Sequence, residues 1–222
     1  MQYLPPNPRP MFIRMTGAFI LALLVLVCLF SKSQLFLAAN SFHTSWMDSL
    51  FLLATGLGDG LFAAVLALAF LLAKKRVLVA KLAATFLLSG LVAQLLKNLI
   101  RAPRPRSFFP QGYYTHFIDG ITHSGLNSFP SGHATTAFAL AAMLAFNISC
   151  RKWCLLFFLL AITVAYSRVY LGQHFIEDVL AGTIVGVCSS LGIEYFYQKY
   201  FMNRLPARRI AMAGPEPLSI EL

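Results

Sequence analysis

Charge is what this chain of 222 residues has least of. Asp, Glu, Lys and Arg together supply 12% of it, against 58% hydrophobic residues, whereas a typical soluble domain carries about 25% charged residues. That shortage excludes an ordinary soluble domain and leaves an integral membrane protein. Cysteine is also sparse: Cys28, Cys150, Cys154 and Cys188 show no metal-like spacing and no disulfide framework, so they read as free thiols. No internal repeat or low-complexity tract is present, and nothing marks a second folded domain. The start has Arg9 and Arg14 before an apolar stretch, but no small-x-small cleavage site after Phe30 and no small residues just ahead of Cys28. It reads as an uncleaved first span, neither a signal peptide nor a lipoprotein leader.

What the chain does have is apolar runs of membrane-crossing length. Spans are expected near residues 11–30, 55–73, 77–100, 131–150, 153–169 and 175–197, each close to the roughly 20 residues that cross a bilayer. The predicted fold class is all-α: a polytopic membrane protein of about six transmembrane helices in one bundle over residues 1–202, then a mobile cytoplasmic tail over 203–222. The second span is the weakest, because its apolar run 61–73 must recruit 55–60, which contains Asp59. Ahead of it, 46–53 suits a helix lying in the interface, with Trp46 at headgroup level.

Basic residues give an orientation. If the spans alternate, Arg9 and Arg14, the group Lys74, Lys75, Arg76 and Lys81, the pair Arg151 and Lys152, and Lys199, Arg204, Arg208 and Arg209 all fall on one side. The positive-inside rule makes that side the cytoplasm and places both termini there. The opposite side holds Lys32, Lys97, Arg101, Arg104, Arg106 and Arg168. A net charge of +10 would suggest nucleic acid for a soluble chain. Here the cations are divided between two membrane faces, so no nucleic-acid partner is expected.

Every outside cation except Lys32 belongs to or adjoins one of three polar stretches. The first runs from Lys97 to Arg104-Pro105, and Pro103 should break the helix so that Arg104 folds back towards Lys97. Alone, such residues would read as a basic cluster at lipid headgroups; in company they suit an oxyanion, Arg as a bidentate donor and Lys as a compact charge. The second is Pro130-Ser131-Gly132-His133. A helix beginning there offers unpaired N–H groups and a positive dipole end to an anion, and Gly132 permits close approach. Ser131 could equally be a plain helix cap. The third holds Ser167-Arg168, His174 and Asp178. At spacing i,i+4 a carboxylate can orient the imidazole through one ring nitrogen and leave the other free as a nucleophile. Glu177 is also within helical reach. An ionisable pair at the head of a span marks function by default.

These stretches resemble, residue for residue, the three signature motifs of the type-2 phosphatidate phosphatase superfamily, which holds many membrane lipid phosphatases. The resemblance covers Lys97 to Asp178 without a departure, and is closest to bacterial members. It implies that His174 is the nucleophile that becomes phosphohistidine, that Asp178 polarises it, and that His133 protonates the leaving group. Lys97, Arg104, Ser131, Gly132 and Arg168 would hold the phosphate oxygens. No metal and no cofactor are expected. The implied substrate is a membrane lipid phosphate or diphosphate: undecaprenyl diphosphate, phosphatidylglycerophosphate, phosphatidate or a lipid A phosphate. The site would sit at the extracytoplasmic end of the bundle, in a bacterial inner membrane. Lipid-to-lipid phosphotransfer at the same site, and a non-catalytic anion-binding membrane protein, are the alternatives. The lack of a large extra domain suggests a minimal enzyme, and the sequence leaves its oligomeric state open.

Other features carry less. His43, His116 and His123 fall in outside segments and read as solvated. The stretch 106–129, rich in Phe, Tyr and Gly, is the largest outside loop and is placed to cover the site. Gly182 and Gly186 form a small-xxx-small pair suited to close helix packing. Asp59 could cap a helix or pair near the site.

Overall fold

The apolar runs become helices because a helix satisfies its own backbone donors and acceptors where no water can. In a computed structural model, residues 9–202 are described except 115, 119 and 149. In chain order the helices are α1 (Arg9–Leu29), α2 (Lys32–Ala39), α3 (Ser45–Gly56), α4 (Gly60–Leu72), α5 (Arg76–Ile100), α6 (Pro105–Phe108), α7 (Gly132–Asn147), α8 (Arg151–Tyr170) and α9 (Ile176–Tyr197), with a π-helical turn at Gln198–Met202. No strand occurs among the described residues. The tail over 203–222, with Arg204, Arg208 and Arg209, lies outside them.

Polar caps set where several of these helices begin. Ser31 and Gln34 form a capping box at α2, the Thr44 hydroxyl accepts from Met47 N–H at α3, and the Asp59 carboxylate accepts from Leu61 N–H at α4. Asp59 is thus a cap, one of the two roles left open by the sequence.

Helices α1, α5, α8 and α9 are long and apolar enough to cross a membrane. The expected second span is instead a broken pair: α3 and α4 meet at a 56° bend and pass the length test only together. The expected interfacial segment 46–53 lies within α3, where Trp46, Leu50 and Leu53 are exposed along one face. The expected fourth span is α7, of 16 residues. It rises only about 24 Å, less than the roughly 30 Å of a hydrocarbon core. A count of six spans therefore requires both the bent pair and this short helix.

Helix α7 is the centre of the bundle: Ala134 to Phe146 are all buried, against α5, α8 and α9. Small side chains let the neighbours approach. A Cβ added at Gly182 would lie 2.6 Å from the Ser131 carbonyl oxygen, and one at Gly186 would lie 2.4 Å from that of Thr135, so α9 meets α7 through the expected small-xxx-small pair. Exposed Leu61, Val65, Leu68 and Leu72 on α4 and Leu87, Leu91, Leu95 and Leu99 on α5 recur at helical spacing and form the lipid-facing exterior.

One end of the bundle is locked by a buried ionic cluster. Lys81 Nζ donates to Glu194 Oε2 at 2.9 Å and to Asn147 Oδ1 at 2.9 Å, while Arg9 donates to Glu194 Oε1 at 2.8 Å. These contacts join α5, α9, α7 and α1. Lys97, His133 and the start of α9 lie at the opposite end of α5, α7 and α9, and Arg168 lies near the end of α8.

Candidate active site

The third motif is built on the turn from α8 to α9. Helix α8 ends at Tyr170, and Gly172, at φ +63°, reverses the chain. A Cβ there would also meet the Phe117 ring at 3.0 Å, so glycine is required twice over. The amides of Gln173 and His174 both donate to the Arg168 carbonyl, which fixes His174 ahead of α9. Asp178 is the third helical residue and reaches back: its Oδ2 accepts from Phe175 N–H at 2.9 Å, one half of a capping box. The same oxygen stands 3.4 Å from His174 Nδ1. Glu177 turns away and pairs with Lys32 at 3.7 Å. Helix-start geometry is what makes Asp178, of the two acids, the partner of the imidazole.

His174 and Asp178 are each 1% exposed. Burial pushes the His174 pKa down to about 4, with the Arg168 and Arg104 charges acting in the same sense against the pull of Asp178. The ring is therefore neutral at physiological pH, with Nδ1 turned to a carboxylate and the Nε2 lone pair uncommitted.

The second motif lies alongside. Ser131 caps α7, its hydroxyl accepting from Ala134 N–H, and its own N–H donates to the Asp178 carbonyl at 3.0 Å, stitching the two motifs together. Gly132 faces the first motif: a Cβ there would lie 3.9 Å from Lys97 Nζ. His133 is only partly buried, and its Nε2 is 4.0 Å from Asp59 Oδ2, so Asp59 holds both of its expected positions. The α3–α4 bend touches the same residue, since a Cβ at Gly58 would meet the His133 carbonyl at 2.8 Å.

Arg104 and Arg168 are 9% and 7% exposed. Arg104 Nε donates to Asn127 Oδ1 at 2.8 Å, and one of its terminal nitrogens bonds Gln173 Oε1. Arg168 donates to the Thr55 hydroxyl at 2.6 Å. Lys97 lies within electrostatic reach of Arg104, Arg168 and Asp178, and His133 within reach of Arg168, His174 and Lys97. The structure thus brings all eight expected residues to one end of the bundle. Beside Lys97 an open groove continues past Asn98 and Arg101 to Ser124, Leu126 and Asn127.

The loop 106–129 and the α8–α9 turn supply residues that sequence reasoning missed. Ser128 is fully buried and donates to Asp178 Oδ2 at 2.5 Å, with its hydroxyl 3.4 Å from His174 Nδ1. Gln173 bridges Arg104 to the Ile121 carbonyl. Only position could have pointed to them, Ser128 three residues before Ser131 and Gln173 next to His174; neither residue type signals chemistry by itself. The solvated reading of His43 and His116 is corrected: both are half-buried against Asp48, whereas His123 is exposed.

Chemically, the arrangement offers a neutral, carboxylate-oriented imidazole, a second imidazole at the mouth, and three cations with a helix start between them. The profile of the PAP2 superfamily matches residues 78–202, more than half the chain. Lipid A 1-phosphatase of Rhizobium johnstonii is 39% identical over 107 residues, covering 48% of this chain and 43% of that protein. Putative undecaprenyl-diphosphatase YbjG of Escherichia coli is 35% identical over 128 residues, covering 57% of this chain and 61% of that protein. The chain therefore spans about half the length of these curated relatives. Among solved structures, Aquifex aeolicus LpxE superimposes with a TM-score of 0.66 at 26% identity, covering 73% of this chain and 93% of that one.

Proposed function

The chain belongs to the PAP2 superfamily, and from that premise we propose that it is a membrane lipid phosphatase that removes the terminal phosphate of a lipid phosphate or diphosphate through a phosphohistidine on His174. The observation that carries this reading is the buried line Ser128–Asp178–His174, which leaves one imidazole nitrogen uncommitted on a ring within electrostatic reach of Arg104, Arg168 and His133. His174 Nε2 attacks phosphorus, the bond to the leaving oxygen breaks, and His133, which the anionic substrate bound beside it keeps protonated, gives that oxygen a proton. His133 then takes a proton from water, whose oxygen attacks the phosphohistidine and releases inorganic phosphate. Lys97, Arg104, Arg168, the Ser131 hydroxyl proton and the Gly132 N–H neutralise the charge on the equatorial oxygens, so the cycle uses no metal and no cofactor.

Phosphate release from purified full-length protein in detergent tests the reading. The names of the relatives put lipid A and undecaprenyl diphosphate at the head of the panel, followed by phosphatidylglycerophosphate and phosphatidate. Turnover of at least one of them, unaffected by EDTA, is expected. A folded protein that releases phosphate from none, or that EDTA silences and a divalent metal restores, would sink it.

The site faces outward in this proposal, with both termini in the cytoplasm, because the motif end lies opposite the end that holds Arg9 and Lys81. A cysteine at Gln111, exposed in the 106–129 loop, should react with a membrane-impermeant thiol reagent in intact spheroplasts once the four native cysteines are replaced. Labelling seen only after the membrane is opened would reverse the orientation.

A further inference from the structure

A second polar cluster stands apart from the phosphoryl cradle. It joins His43 from the segment before α3, Asp48 from α3, and His116 from the 106–129 loop, with one ligand atom from each lying within 4.8 Å of the others. We propose that His43, Asp48 and His116 form a binding site for a zinc-type divalent cation, which clasps the 106–129 loop to α3.

Two imidazoles and a carboxylate are a donor set suited to zinc and its neighbours. Donors bound at about 2.0–2.1 Å around a tetrahedral ion stand roughly 3.3–3.4 Å apart, and His116 Nε2 is already 3.3 Å from Asp48 Oδ1. His43 is prepared through its other nitrogen. Its Nε2 lies 3.1 Å from the Asn40 carbonyl oxygen, and Nδ1 is buried without a hydrogen-bond partner. A ring that donates to a backbone carbonyl through Nε2 carries its lone pair on Nδ1, the arrangement typical of a metal-bound histidine. Tyr170 donates to Asp48 Oδ1 at 2.6 Å and orients the carboxylate.

The two rings lie stacked, with centroids 3.6 Å and planes 28° apart. Holding one ion near the plane of both requires the His116 ring to turn about χ2, a soft torsion for histidine, which leaves the His43 bond to Asn40 in place. The same loop carries Asn127 and Ser128, but these are held by their own bonds to Arg104 and Asp178, so stripping the ion should leave turnover unchanged. The ion is a tether there and takes no part in the phosphoryl chemistry.

Titration of the chelator-stripped full-length protein with Zn²⁺ alone, in competition with a chromophoric chelator, tests the site. One ion per chain is expected, with slowed amide exchange in the 106–129 loop. Loss of an outer partner typically costs about 10–100-fold in affinity. Tyr170→Phe should fall in that range, and His43→Ala or His116→Ala should lose at least about 100-fold. His123→Ala, an exposed histidine of the same loop, should bind as the parent does. If the alanine variants do not fold, Tyr170→Phe against His123→Ala decides the question. Absence of stoichiometric binding in the parent, or equal affinity in Tyr170→Phe and His123→Ala, overturns the proposal.

Discussion

Replacing His174 by alanine is expected to bring phosphate release to background and to abolish the phosphorylated protein trapped by rapid quenching. Removing a nucleophile costs on the order of 10⁴-fold or more, because no other group can form the covalent intermediate. His133→Ala should behave differently. A general acid contributes typically about 10²–10⁴-fold, and only where the leaving group needs its proton. A lipid monophosphate, whose leaving alkoxide is strongly basic, should show the whole loss, and a diphosphate, whose leaving phosphate is already stable as an anion, much less. Equal losses on both substrates would count against the assignment, as would phosphoenzyme in His174→Ala. The pH dependence has a defined sign. Protonation removes the attacking lone pair, and burial holds the His174 pKa down at about 4. Phosphoenzyme formation should therefore persist as pH falls through the ordinary histidine range and fail only near pH 4. An acid limb near pH 6.5 would show that His174 is better solvated than its 1% exposure indicates.

The second large effect is expected at Arg104. Its guanidinium bonds Asn127 through Nε and Gln173 through one terminal nitrogen, which leaves the other terminal nitrogen for a phosphoryl oxygen. Lysine keeps the charge but cannot make this three-way fork. Losing one preorganised donor costs on the order of 10²–10³-fold in turnover, and Arg104→Lys should lose at least that, because Gln173 and the loop it holds are released too. Vanadate, which adopts the trigonal bipyramidal shape of the transition state, should inhibit the parent competitively and the variant far more weakly. Near-normal turnover and vanadate sensitivity in Arg104→Lys would remove Arg104 from the cradle.

Much of this was legible in the sequence because it depends on local periodicity and spacing. Apolar runs of about 20 residues marked α1, α5, α8 and α9, since a membrane helix must satisfy its own backbone and cover its own length. The i,i+4 spacing of His174 and Asp178 suggested their pairing but left Glu177 as a rival, which the resemblance set aside and the capping of α9 by Asp178 decides in the structure. The pair Gly182 and Gly186 marked a close approach, because one helix face without side chains is visible in one dimension. The broken pair α3 and α4 was legible only as a weak span, because the contact of the bend at Gly58 with His133 and Val164 joins segments far apart in the chain.

By itself the sequence determined an all-α membrane chain and the three motifs, each read from spacing over short stretches of chain. Tertiary structure alone decided that Ser128 and Gln173 support the site, that α7 is a short buried centre, and that His43, Asp48 and His116 meet. The physical reason is that those contacts join segments far apart in the chain. Their partners are chosen by which helix faces can pack closely, and no spacing along the chain encodes that choice.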